Sequence, residues 1–375
     1  MMHNLLVDLR DERFGEASLA RALRDIEAAG FTHGDSDGDD GHLLAWLDDE
    51  FGGTWSTEAF VGRSVVVRKG DAIAGFATYD PKGLRFSWLR GMGARADVGI
   101  FGPFGVSQTF RNLGIGTQIL IAALARLRRC GYARALIPAV GTQKLVEYYA
   151  AHAGAYVVES IAKRSLSSQR YRAVVMASGN GSNFQSVLER SRDGRLPLDV
   201  VGLVCDSPQA YALERARAAA VPAHVIAWDK TQEKRSAYDA RLRAETAVDA
   251  PDLLLLLGWM HLLDDAFLSH FHHAINVHPA FLPLEQTADR VVLPDGSTQR
   301  AYRGAHAVRD ALADGAAWIG ATAHRVAATA DRGEVLLRKP LRLSDERSAD
   351  RVYEMLHALE QGVVAGAVMR WVYEQ

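Results

Sequence analysis

The second half of the chain alternates short runs of unbroken apolar residues with stretches of helical spacing. The apolar runs are RAVVMA from Arg172, DVVGLV from Asp199, AHVIAW from Ala223, DLLLLLG from Asp252 and HAINV from His273. A strand with one wet face reads apolar, polar, apolar; these runs do not, so both of their faces must be covered. Buried strands separated by helices predict an α/β domain built on a parallel sheet.

The first half reads differently. SVVVR and AIAGFATYD are adjacent strands joined by a turn at Lys69-Gly70-Asp71, and a further strand ends near Val106. Thr117 to Arg129 has helical spacing, with Ile119, Leu120, Ala123, Leu124 and Leu127 on one face, and the strand ARALIPAV follows directly. Thr32 to Gly41 (THGDSDGDDG) reads as a solvated loop; it lacks the closing Glu of a calcium loop. Ser160 to Arg170 is polar, Ser-rich and without periodicity. The expected organisation is therefore a domain over residues 1–163, a linker at 164–170 and a second domain over 171–375. A chain of 375 residues can bury a core in each.

Net charge is −2 at pH 7, too small a field to recruit nucleic acid or an anionic membrane. Arg126, Arg128, Arg129 and Arg134 read as solvated positions. The longest apolar run, Leu253 to Leu257, is too short to span a bilayer. The acidic start MMHNLLVDLRDERFGE does not read as a signal peptide, and a cytoplasmic enzyme is the default. Two cysteines, Cys130 and Cys205, support neither a disulfide framework nor a zinc site and read as small core fillers. No metal site is expected.

Three groups of residues carry chemistry in the second half. Ser178-Gly179-Asn180-Gly181-Ser182-Asn183 is a Gly-rich turn from strand to helix, where free N–H groups can receive an anion; a plain tight turn with an N-cap fits equally well. Asn276 and His278 lie two apart at the end of HAINV, so both point one way into the crevice at the carboxyl edge of the sheet. An amide and a titratable imidazole suit oxyanion stabilisation and proton transfer; with 13 histidines in the chain, a structural role is the alternative. Asp331, on a loop followed by Gly333, could approach His278 and fix its ring, or lie exposed in a turn.

The segments SGNGSNFQ, SPQAYALERA, RSAYD, LGWMHLL, INVHPAFLP, RGAHAVRDAL and HRVAATADRG occur in the order seen in glycinamide ribonucleotide formyltransferases, and the second half resembles that family over its whole length. The resemblance implies a Rossmann-like fold and transfer of the formyl group of 10-formyltetrahydrofolate to an amine. It implies that Asn276, His278 and Asp331 are catalytic. Arg235, Met260, His261, Leu262 and Leu263 would hold the folate, while Gly181, Ser182, Asn183 and Glu360 would hold the substrate. There are departures. His261 stands where the family usually has arginine, Glu334 where it has proline, and the Tyr-Pro pair after the glutamate is absent. Leu284 to Arg300 is additional and contains a Pro-Asp-Gly turn. Beside the expected cleft it should wall the amine site and exclude glycinamide ribonucleotide; a surface hairpin pairing with the linker or first half is the alternative.

In the first half, Arg111-x-x-Gly114-x-Gly116 between a strand and a long helix, followed by ALIPAVG and KLVEYYAAHAGA, resembles the acyl-CoA N-acyltransferases of the GNAT type. That likeness implies a mixed sheet, binding of the pyrophosphate of acetyl-CoA or another acyl-CoA by Arg111, Gly114, Ile115 and Gly116, and Tyr149 as general acid toward the departing thiolate. Tyr148 and Tyr149 also fit as amphipathic helix positions. Asp80 and Glu147 are candidate bases. The partners expected are small-molecule amines, with no nucleic acid and no membrane; a homodimer stays open. The first half could instead be a docking module without activity.

Overall fold

The computed structural model describes residues 1–38, 40–52, 54–81, 95–161, 169–343 and 348–375. They separate into two units, one of Met1–Ser165 with Val372–Gln375 and one of Leu166–Trp371. Most of the expected linker lies outside the described residues.

The first unit contains β1 (Met2–Asp8), α1 (Glu16–Ala28), β2 (Thr32–Ser36), α2 (Gly41–Glu50), α3 (Trp55–Val61), β3 (Arg63–Lys69), β4 (Ala72–Tyr79), β5 (Val98–Val106), α4 (Ile115–Arg129), β6 (Arg134–Val140), α5 (Gln143–Ala153) and β7 (Tyr156–Ile161). Its sheet runs β2-β3-β4-β5-β6-β1-β7. Among these described strands only β5 and β6 pair in parallel, so the sheet is mixed as expected. Ile115, Ile119, Leu120, Leu124 and Leu127 of α4 are buried in its core.

Three readings change here. Thr32–Ser36 is a strand and not a loop: it adds to the edge at β3, where a strand with one unpaired side tolerates polar residues. Arg126 is buried and not solvated, with its Nε 2.6 Å from Asp35 Oδ1. Cys130 is exposed, whereas Cys205 is buried.

The second unit contains β8 (Tyr171–Ala177), α6 (Ser182–Arg192), β9 (Leu198–Cys205), α7 (Tyr211–Ala218), β10 (Ala223–Val225), α8 (Arg235–Ala247), β11 (Leu253–Leu256), α9 (Asp265–His270), β12 (Ala274–His278), β13 (Arg290–Val292), β14 (Thr298–Arg300), α10 (Ala307–Ala313), β15 (Trp318–Arg325), β16 (Val335–Arg342) and, as far as Trp371, α11 (Ala349–Glu374). The sheet order is β10-β9-β8-β11-β12-β15-β16. The five strands read from the sequence pair in parallel; β15 and β16 are antiparallel additions at one edge. The carboxyl ends of β8, β11 and β12 lie side by side, which brings Ser178, Gly258 and His278 to one edge. Among the described residues no helix is long and apolar enough to cross a membrane.

Candidate functional site

In the second unit a cavity of about 390 Å³ opens at that carboxyl edge. It is lined by the turn Gly179–Asn183, the loop Leu257–Leu263, the strand end Asn276–Pro279, His324, Asp331 and Glu360. Gly181 caps α6 at φ +74°, and a Cβ there would meet Ala212 Cβ at 2.8 Å; only glycine turns the chain so tightly and leaves the N–H groups of α6 open.

Asn276 and His278 share one face of β12, as expected. Pairing with β15 sets His324 directly opposite Asn276. Asn276 Nδ2 lies 3.2 Å from His324 Nε2, and His324 Nδ1 lies 2.8 Å from the carbonyl of Arg325. These partners fit the tautomer protonated at Nδ1, so His324 Nε2 accepts one amide hydrogen and leaves Asn276 Nδ2 a second to donate. Asp331 Oδ1 sits 3.4 Å from His278 Nδ1 and 3.5 Å from His324 Nε2. Its other oxygen accepts from Gly304 N at 2.7 Å. The chain reaches this position through Gly333, where a Cβ would stand 1.6 Å from the Arg325 carbonyl oxygen. His324 was missed in the sequence because its relation to Asn276 exists only in the β12·β15 register.

His278 is 5% exposed. Its Nε2 lies 2.9 Å from the Tyr302 carbonyl oxygen, which fixes the proton there in the neutral ring and turns Nδ1 toward Asp331. Burial holds its pKa below the ordinary histidine value, against the opposing pull of Asp331 and the Tyr302 carbonyl. Burial alone would raise the Asp331 carboxyl, but the pull of His324 and His278 whenever either ring is charged, with the hydrogen bond from the Gly304 amide, holds it below the usual carboxylate range. Glu360 is also buried; desolvation raises its pKa, partly offset by Asn183, whose Nδ2 donates to Glu360 Oε2 at 2.9 Å. Asn183 Oδ1 is buried against the cavity with no partner among the described residues, an acceptor that suits a substrate N–H.

On the other wall, Met260 and Leu262 are 60% and 58% exposed beside the buried Leu263. Exposed apolar side chains at a cavity rim suit a flat heteroaromatic ring. His261 pairs with Asp206 at 2.9 Å. Arg235 is not among the lining residues: its Nε donates to Asp239 at 2.7 Å and an Nη to the Leu262 carbonyl, so it supports the loop from behind. Nor do residues 284–300 line the cavity. They form the hairpin β13–β14, with Val291 and Leu293 packed on Phe281, and the expected wall is not there. The Pro-Asp-Gly turn closes the hairpin against Trp318, so apolar burial draws it away from the cleft.

The first unit has a cavity of about 580 Å³. β5 and β6 pair only from Val98 to Ile100; beyond that point Pro103 and Pro138 lack the N–H groups a ladder needs, and the strands splay. Between them lie Arg111, Gly114, Ile115 and Gly116 at the start of α4, with Tyr148 and Tyr149 across. Gly114 caps this 15-residue helix at φ +79°. Tyr149 is buried, which pushes its hydroxyl well up and keeps it protonated, and the Tyr148 hydroxyl stands 3.4 Å from Thr117 Oγ1. Asp80 is taken up by the Tyr132 hydroxyl at 2.9 Å and Glu147 is exposed; neither lines the cavity. Among the described residues the carboxylate that does is Glu58 on α3. Its surroundings of protein push its pKa up to about 7, against a hydrogen bond from Thr54 Oγ1 at 2.8 Å.

The formyl transferase family model matches residues 171–368. The chain belongs to that family. The acetyltransferase (GNAT) family model matches residues 16–155. Over 198 residues the chain is 34% identical to the phosphoribosylglycinamide formyltransferase of Mycobacterium tuberculosis, covering 52% of this chain and 83% of that protein. It is 29% identical over 187 residues to that of Bacillus subtilis, covering 50% and 87%. The crystal structure of glycinamide ribonucleotide transformylase 1 from Symbiobacterium toebii aligns with 58% of this chain and 92% of its own at 29% identity and a TM-score of 0.48. The chain is a folate-dependent N-formyltransferase that uses 10-formyltetrahydrofolate, and its GNAT unit implies an acyl-CoA.

Proposed function

We propose that the second unit transfers a formyl group to the amine of a small, anion-bearing biosynthetic intermediate, and that the first unit acylates the same or a related amine. The observation that carries the first part is the Asn276–His278–His324–Asp331 cluster at one end of a cavity whose other walls suit an anion and a flat ring. When bound, 10-formyltetrahydrofolate supplies a formyl carbon open to attack by an amine. Asn276 Nδ2 donates its second hydrogen to the formyl oxygen as negative charge develops there. His278, neutral at rest, takes the proton released by the amine, and the ionised Asp331 stabilises the resulting imidazolium. The ring then passes that proton to the departing nitrogen. Gly181 to Asn183 present amides to the anionic group, and Asn183 Oδ1 with Glu360 orients the amine.

The substrate in the names of the relatives, phosphoribosylglycinamide, is the first acceptor to try, because the hairpin contributes nothing to the lining that would exclude it. The test is tetrahydrofolate release across an amine panel that includes it. Saturable turnover with one amine supports the reading; a panel with no acceptor above the rate in buffer would sink it.

A carboxylate and two tyrosines lining one cavity favour acyl transfer over docking. Glu58 accepts the amine proton, and Tyr149 or Tyr148 protonates the thiolate. Thiol release from acetyl-CoA with the same amines tests this, and binding without turnover would support a docking module.

A further inference from the structure

The inserted segment 284–300 does not line the cavity, yet its contacts run to Arg332, beside Asp331, and to Arg303, which bonds the Asp331 main chain. Asp289 Oδ1 accepts from Arg332 Nη2 at 2.5 Å and from Arg303 Nη1 at 3.3 Å. Arg332 Nη1 donates to the Gln286 carbonyl at 2.9 Å, and Arg303 Nη2 to that of Ala288 at 2.7 Å. Arg303 Nε reaches the main-chain oxygen of Asp331 itself at 3.2 Å. Asp331 is held at φ +54°, a left-handed conformation that costs a non-glycine residue energy and persists only where its surroundings impose it. Arg303, next to Gly304, lies mostly buried between the two segments.

We propose that the insertion is a brace for the Asp331 loop: Asp289, through Arg332 and Arg303, holds the loop in the turn that faces the Asp331 carboxylate toward His278 and His324. Asp289 is a positioning residue, since it acts through the loop and touches neither cavity nor substrate. The inference rests on the catalytic reading of Asp331. Without the brace the loop can relax toward ordinary backbone angles and swing the carboxylate away. The folate wall at Met260 to Leu263 belongs to another loop and keeps its shape.

Asp289→Ala should lower kcat about 10- to 100-fold, the usual scale for a displaced catalytic group, and leave KM for the folate donor within about twofold. Arg332→Gln breaks the same link from the other side, should give the same loss, and serves if the first variant does not fold. In an Asp331→Ala background, Asp289→Ala should cost nothing further, which a general loss of structure would not reproduce. Full kcat in both single variants overturns the brace, as does an undiminished effect of Asp289→Ala without Asp331. If instead Asp331→Ala itself keeps full activity, the catalytic reading has failed, a separate result.

Discussion

Asp331→Asn removes one charge with almost no change of volume, and its consequence can be worked from the geometry. The amide oxygen of the variant side chain can still accept from Gly304 N, which lies 2.7 Å from Asp331 Oδ2 in the parent, so the loop should keep its anchor. The amide NH2 then takes the place of Asp331 Oδ1, 3.4 Å from His278 Nδ1, and donates to a neutral ring where a carboxylate would have stabilised a cation. At that separation and an effective dielectric near 20, the lost attraction is about 5 kcal/mol as an upper bound, a ceiling of about 4000-fold in rate. The expected fall in kcat is about 10²–10³-fold, below that ceiling and within the range for a positioned acid–base group. KM for the folate donor should move less than about threefold, because its wall is elsewhere. The assay is steady-state tetrahydrofolate release with the amine that supports turnover, with thermal unfolding confirming that the variant is folded. Turnover within about threefold of the parent would refute the idea that Asp331 stabilises charge on His278.

Gly114→Val places a β-branched residue at φ +79°, where the strain is of order 1–3 kcal/mol; calorimetry should show acetyl-CoA binding weakened about tenfold or more, with formyl transfer by the other unit unchanged. Glu58→Gln should abolish thiol release with amines and spare acetyl-CoA binding, since the residue belongs to α3 and not to the helix start at Gly114; retained acyl transfer would remove Glu58 from the chemistry. Asn183→Ala takes an orienting acceptor from the cavity and leaves Glu360 without its donor, so the acceptor KM should rise about tenfold while the donor KM holds; the opposite pattern would place the amine elsewhere. Gly333→Ala forces a Cβ to within 1.6 Å of the Arg325 carbonyl oxygen, and the displaced loop should lose activity even where circular dichroism reports a folded chain.

Features encoded by local pattern were legible in the sequence. Unbroken apolar runs such as Leu253–Leu256, set between helical stretches, read as strands covered on both faces and are strands, and the helical stripe of α4 lies in the core. Asn276 and His278 shared a face because side chains alternate along a strand, and Gly181 announced a strand-to-helix turn. Other features were decided by pairing across long sequence separations. His324 joined the site only through the β12·β15 register, 48 residues from Asn276. Thr32–Ser36 became a strand only because β3 offered an open edge. Arg126 is buried with its guanidinium paired to Asp35, far away in the sequence, and Glu58 of α3 lines a cavity together with Pro103 and Pro138 of β5 and β6. The insertion announced itself as a hairpin, but its place was set by apolar packing on Phe281 and by the arginines gathered around Asp289. Periodicity constrains which way a side chain points along its own element. What it meets there depends on the energies of contacts that form only once the whole unit has closed.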